Sequence, residues 1–220
     1  MFASDNWSGA SEKVLAALTP ALAGFAPAYG NDALTKRVTE RLCDLFQKDV
    51  HVFLVASGTG ANALAIQALT PRWGGAVMCH AEAHVDVDEG GASEFYSGVK
   101  MLGIPGVGGK IAPDALLAKL ADNKRGRTHP TALSITNLTE CGQAYSVHEV
   151  SRLGLIAEDH ALKFHMDGAR FANAVAASEA APADLTWRAG VDILTLGGTK
   201  NGCLIAEAIV VFDPALAPVI

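Results

Sequence analysis

The sequence predicts an α/β domain built on a mostly parallel central sheet with helices on both faces. Three observations carry that expectation. Short apolar runs recur along the chain, separated by longer helical stretches, as right-handed strand–helix–strand crossovers produce. Most of those runs are continuous rather than alternating, which suits strands covered on both sides. Half of the 220 residues are hydrophobic and only 18% are charged, enough apolar material for a large core and too much for a disordered chain.

Two helical stretches, around 11–18 and 32–47, precede the first strand. Strands are expected at 52–55, 76–79, 99–102, 132–136, 164–166, 193–196 and 208–212. A helix over 61–69 follows the first strand directly. The stretch 112–120 carries Pro113 in its first turn, where a missing N–H costs nothing. Ser146-Val147-His148-Glu149 has capping-box spacing and leads a helix over 150–159. Asp213-Pro214 is a good cap and first-turn pair, so a helix is expected to begin there. It is followed only by Ala215 to Ile220, an apolar ending that reads as cut.

Charge and composition narrow the function classes. With 17 basic and 23 acidic residues, the net charge is −6, and the absence of a Lys/Arg cluster argues against a nucleic-acid surface. No apolar run approaches the roughly 20 residues that span a bilayer. The first residues carry neither a basic region nor a signal-like apolar core, so the chain reads as cytoplasmic. Cys43, Cys79, Cys141 and Cys203 form no CxxC pair and read as free thiols. Trp7, Trp73 and Trp187 are scattered, as packing residues are, with Trp7 close enough to Ser4 to line a site there.

Three features carry chemistry. Ser57-Gly58-Thr59-Gly60 lies between the first strand and its helix. A helix N-terminus offers unpaired N–H groups and partial positive charge, so this turn suits a phosphate, although an ordinary tight turn reads the same way. It is neither a dinucleotide fingerprint nor a P-loop. Phe164 to Arg170 delivers Asp167 at the carboxyl end of an apolar strand, followed by Gly168 and Arg170. Ligands sit at that edge in open α/β sheets. A carboxylate there could keep a heterocyclic nitrogen protonated, pair with Arg170, or cap the next helix. In the third feature, a strand runs into Gly197-Gly198-Thr199-Lys200-Asn201-Gly202. A lysine among small residues at a sheet edge can serve as an amine nucleophile or can be a solvated loop residue. Together, an anion cradle, a strand-end Asp and a Gly-flanked Lys are what pyridoxal phosphate needs.

In that order the sequence resembles the low-specificity L-threonine aldolases, within the fold-type-I pyridoxal-phosphate group that also holds β-eliminating lyases. The resemblance extends to Ala3-Ser4-Asp5-Asn6, Ala28-Tyr29-Gly30-Asn31-Asp32, and Ala83-His84 with Asp88-Glu89-Gly90-Gly91-Ala92. It implies the large domain of the aspartate-aminotransferase-like fold over 1–220, with the small C-terminal domain and its carboxylate-binding Arg missing. It further implies pyridoxal 5′-phosphate as cofactor. Lys200 is then the Schiff-base lysine, Asp167 the partner of the pyridinium nitrogen, and Gly58 and Thr59, with Ser57 and Thr199, the phosphate ligands. His84 stacks on the ring and moves a proton at the substrate hydroxyl. Ser4 and Arg170 contact the substrate carboxylate, and Tyr29 and Asp32 lie in a loop near the site. One branch of the family carries a second histidine after the fourth strand. Ile135 to Glu140 holds none, so no histidine pair is implied.

The activity so implied is an aldolase that cleaves threonine to glycine and acetaldehyde. Other readings are a β-eliminating lyase, an aminotransferase, or a cofactor-binding module without turnover. A homodimer or homotetramer with shared active sites is expected by resemblance. His80 and His84 are four residues apart near several acids. Without the glutamate of a metalloprotease helix, and directly after a strand, they read as loop residues rather than metal ligands. His51, His129, His148 and His160 read as surface or satisfied residues.

Overall fold

Among the described residues, seven strands pair into one sheet: β1 (His51–Val55), β2 (Gly75–His80), β3 (Lys100–Ile104), β4 (His129–Thr136), β5 (Lys163–Gly168), β6 (Ile193–Gly197) and β7 (Glu207–Val211). Their order across the sheet is β1-β7-β6-β5-β4-β2-β3. The structure is a computed structural model that describes residues 4–70, 74–122 and 128–220. Trp73 and Ala3 lie outside the described residues. Neighbouring strands are parallel except at β7, which runs antiparallel to both β1 and β6. The sheet is therefore mostly parallel, as the continuous apolar runs predict.

Residues two apart on a strand share a face, and this splits the core in two. Met78, Leu133, Ile135, Phe164, Met166, Leu194 and Val210 join one buried cluster. Against it pack α2 (Ala33–Phe46) through Phe46, α6 (Pro113–Ala121) through Leu116, and α7 (Val147–Asp159) through Val150 and Leu153. The alternate residues Val77, Cys79, Ala132, Ile193, Ile209 and Val211 form the second cluster. That face is covered by α3 (Gly58–Leu69) through Ala61, Ala65, Ile66 and Leu69. Each fully buried Leu or Ile contributes about 1.5–3 kcal/mol.

Local signals explain most boundaries. Asp32 caps α2, its Oδ1 accepting from the N–H groups of Leu34 and Thr35 at 2.9 Å. Ser146 and Glu149 form the predicted capping box of α7. α1 (Glu12–Ala21) is capped by Ser11 and buries nothing. The structure corrects the expectations in three respects. α3 begins at Gly58 rather than 61, because Ser57 caps it and accepts from Gly60 N at 3.1 Å. Three helices were not anticipated: α4 (His84–Val87), α5 (Ala92–Ser97) and α8 (Phe171–Ser178). The first two are too short to show a helical period and are separated by Gly90-Gly91. The third follows Arg170 without a side-chain cap. Finally, Pro214–Val219 is a 3-10 segment, with Asp213 capping as expected.

Candidate active site

All strands but β7 point their carboxyl ends to one edge of the sheet, and β7 starts there. The turn after β1, the connection from β2 to α4, the ends of β4, β5 and β6, and Glu207 at the start of β7 therefore meet. They enclose a cavity of about 340 Å3. Ser57, Gly58, Thr59, His84, Asp167, Arg170, Thr199 and Lys200 all line it.

The anion cradle follows from the helix start. Ser57 is extended and its hydroxyl holds Gly60 N, leaving Gly58 and Thr59 N–H groups at the N-terminus of α3. Asp167 is buried at 4% exposure, with both oxygens engaged. Oδ1 accepts from Ala169 N at 2.9 Å, and Oδ2 accepts from the Asn62 amide at 2.9 Å. Two residues earlier on the same face, His165 is fully buried, its Nδ1 2.9 Å from Ser134 Oγ. Burial pushes this imidazole down to about 4, with the nearby Asp167 charge pulling the other way.

His84 opens α4. Its backbone N–H donates to Glu140 Oε1 at 2.9 Å, an oxygen that also accepts from Thr136 Oγ1 at 2.8 Å. Its ring Nδ1 lies 3.0 Å from Glu89 Oε1. The hydrogen bond to Glu89 raises the imidazole above its ordinary value, partial burial opposes this, and the Glu89 and Asp167 charges add to it. Arg170 is bound by Asp5, with Nε 2.5 Å from Oδ2 and Nη2 2.9 Å from Oδ1. The guanidinium holds the Asp5 carboxyl below its ordinary range. Lys200 sits in a short 3-10 turn, Thr199–Asn201, between β6 and β7. The preceding Thr199 N–H donates to Glu207 Oε1 at 3.4 Å.

Glycine lets two of these loops meet. A Cβ on Gly197 would lie 2.5–2.8 Å from the backbone of Ala169, so only glycine brings the Lys200 turn against the Asp167 turn.

Two predicted residues lie elsewhere in this chain. Ser4 caps the 3-10 turn Asp5–Trp7 by accepting from Asn6 N at 3.2 Å, and Asn6, not Ser4, lines the cavity. Tyr29 is 99% exposed and outside the lining. Asp32 serves as the cap of α2. His80 ends β2, and its Nδ1 accepts from Glu82 N at 3.1 Å. Sequence reasoning missed the lining residues Asn62, Glu89, Glu140, Thr195 and Glu207 as site members. Asn62 had a readable signal: a lone polar side chain among Ala61, Ala63, Ala65 and Ile66 on a core helix.

A larger groove of about 730 Å3 opens at the other edge of the sheet, between Lys163, Asp192 and Asp213. None of the residues predicted for chemistry lines it.

A doubly covered sheet with an anion cradle, a buried strand-end carboxylate and a lysine at one carboxyl edge defines the large domain of the fold-type-I pyridoxal-phosphate enzymes. The chain belongs to the β-eliminating lyase family, whose model matches residues 1–217. It is 42% identical to the low specificity L-threonine aldolases of a Pseudomonas strain and of Pseudomonas aeruginosa, over 98% of its own length and 63% of theirs. The chain thus spans less than two thirds of these curated relatives. Among solved structures, a Leishmania major threonine aldolase superimposes with a TM-score of 0.92 at 25% identity, covering 98% of this chain and 63% of that one. The members of this family are pyridoxal-phosphate enzymes.

Proposed function

We propose that this chain is the cofactor-binding large domain of a pyridoxal 5′-phosphate-dependent aldolase. Its reaction is cleavage of the Cα–Cβ bond of β-hydroxy-α-amino acids, with L-threonine or L-allo-threonine giving glycine and acetaldehyde. The observation that carries the reading is the convergence of the Ser57–Thr59 turn, Asp167, Lys200 and His84 on one cavity.

The residues fit the cofactor chemically. Gly58 and Thr59 offer N–H donors at a helix N-terminus, with the Ser57 and Thr199 hydroxyls at the same cavity. Asp167 is a buried acceptor already fixed by two donors. The Lys200 amine is available to hold the aldehyde. When bound, the cofactor supplies the electron sink that makes a bond to Cα breakable.

The chain's own groups do the rest. Asp167 keeps a proton on the ring nitrogen. With Nδ1 of His84 engaged by Glu89, Nε2 is the nitrogen left to take the β-hydroxyl proton, and the imidazole would stack on the cofactor ring. Its raised proton affinity makes it the stronger base. Arg170 contacts the substrate carboxylate by exchanging Asp5 for it, and so helps set which Cα bond stands perpendicular to the ring. Ser4 and Tyr29 contribute from outside the cavity of the single chain. We place the protein in the cytoplasm, as a homodimer or homotetramer with shared sites. In support, all four cysteines are free. No helix among the described residues is long and apolar enough to cross a membrane.

The test is an absorbance spectrum of the purified protein with added cofactor, before and after borohydride. Reduction should trap the cofactor on Lys200, and Lys200→Ala should abolish the visible band. Full turnover by that variant refutes the assignment. The family description favours one second reading, β-elimination, which pyruvate and ammonia from serine would support in place of acetaldehyde from threonine. Cofactor capture without turnover would fit a binding module.

A further inference from the structure

One side chain, Asn62, touches both halves of the site. Its amide nitrogen donates to Glu89 Oε1 at 2.8 Å and to Asp167 Oδ2 at 2.9 Å, and its carbonyl accepts from Thr195 Oγ1 at 2.8 Å. Only an NH2 can face two carboxylates, so its orientation is determined by chemistry. Asn62 is 2% exposed, Thr195 4% and Glu89 8%, and little water competes for these bonds. The two carboxylate oxygens lie no farther apart than the sum of their bonds to the shared nitrogen. Glu89 Oε1 also accepts from His84, and its Oε2 is buried with no partner. Among the described residues, Glu89 therefore has two side-chain hydrogen-bond partners, His84 and Asn62.

We propose that Asn62 is a positioning residue that ties the proton-handling His84–Glu89 pair to Asp167 by donating one N–H to each carboxylate. The physical reason is the cost of bringing two buried carboxylates together. The amide offsets that by giving one N–H to each, while Thr195 stops the side chain from turning. The groups facing His84 and Glu89 are Asp167 from β5, Lys200 from the turn after β6, and Glu140 after β4. None of them supplies Glu89 with a hydrogen bond, so Asn62 has no substitute. His84 is where the coupling is felt. The amide and the imidazole both donate to Glu89 Oε1, so Asn62 divides that acceptor with His84. Removing the amide leaves Oε1 to the imidazole alone, which then holds its proton more tightly and gives it up at higher pH. This deepens the aldolase reading and rests on it for the assignment of His84 and Asp167 to catalysis, but the bonds themselves do not require a cofactor.

The experiment follows the labelled His84 ring by NMR through a pH titration of the cofactor-free protein. The variants are Asn62→Leu, similar in volume but without donors, and Thr195→Val, which frees the Asn62 carbonyl. Asn62→Leu should raise the His84 midpoint by about one pH unit, and Thr195→Val should raise it by less. A space-filling role for Asn62 would leave the midpoint alone. An unchanged midpoint in folded Asn62→Leu overturns the proposal. Should that variant fail to fold, an unchanged midpoint in Thr195→Val overturns it equally. Absence of a Lys200-dependent band in the parent protein with cofactor would sink the aldolase reading, while the titration still decides the role of Asn62.

Discussion

At the scale of single residues, side-chain type was legible where chemistry is rare and illegible where it is shared. Lys200, Asp167 and the Ser57–Thr59 turn stood out because they occur together and in order: each alone has an ordinary reading, and the three combined are what pyridoxal phosphate needs. Asn62 and Glu89 act through partners 105 and 27 positions away in sequence, and no local pattern announces such a bond. Arg170 likewise pairs with Asp5, 165 positions away, before any substrate arrives. His165 gives a prediction at this scale. In the unfolded chain its imidazole takes a proton near the ordinary value of about 6.5. In the fold it resists until about 4. Between those values the unfolded state binds more protons, so stability falls as pH drops through that window, by on the order of 3 kcal/mol. Thermal midpoints of the parent and of His165→Leu, measured from pH 7 to pH 4, should converge as pH falls. Parallel curves would show that His165 carries no such linkage.

Elements were read well where burial is continuous. The apolar runs located all seven strands because strands covered on both sides carry no polar interruptions. What failed was direction and start. Nothing in Ala208 to Val211 says that β7 runs against its neighbours, since a buried run reads the same either way. Gly58-Thr59-Gly60 has poor helix propensity, yet α3 begins there because Ser57 caps it and the sheet supports it. The contact between the β5 and β6 turns yields a prediction. Gly197→Ala drives a methyl into the Ala169 backbone, which cannot yield without moving Asp167 or Arg170. It should cost about 1–3 kcal/mol and weaken cofactor capture together. Circular dichroism melts and absorbance titrations check both, with exposed Gly9→Ala, which has open space around it, as the neutral control.

At the scale of the whole molecule, the sheet and its two clusters account for the core, but the described residues before β1 stand largely apart from it. Phe46 and Val50 are the two buried residues among them. Leu22, Phe25 and Tyr29 are exposed at 80%, 109% and 99%. Apolar side chains left in water over such a stretch are what the proposed homo-oligomer would cover. The expected outcome is a homo-oligomer at micromolar concentration, checked by light scattering, and a purely monomeric mass would count against it. The reversed strand has a consequence of its own. β6 and β7 form a hairpin whose ends are locked at Gly197 opposite Glu207, so Lys200 rides on its tip, residues 198–206. The segment bearing Lys200 is thus a self-contained cassette, closed by main-chain ladder bonds. Relatives with the same register could exchange tips of different length without disturbing the floor on which the ring would rest.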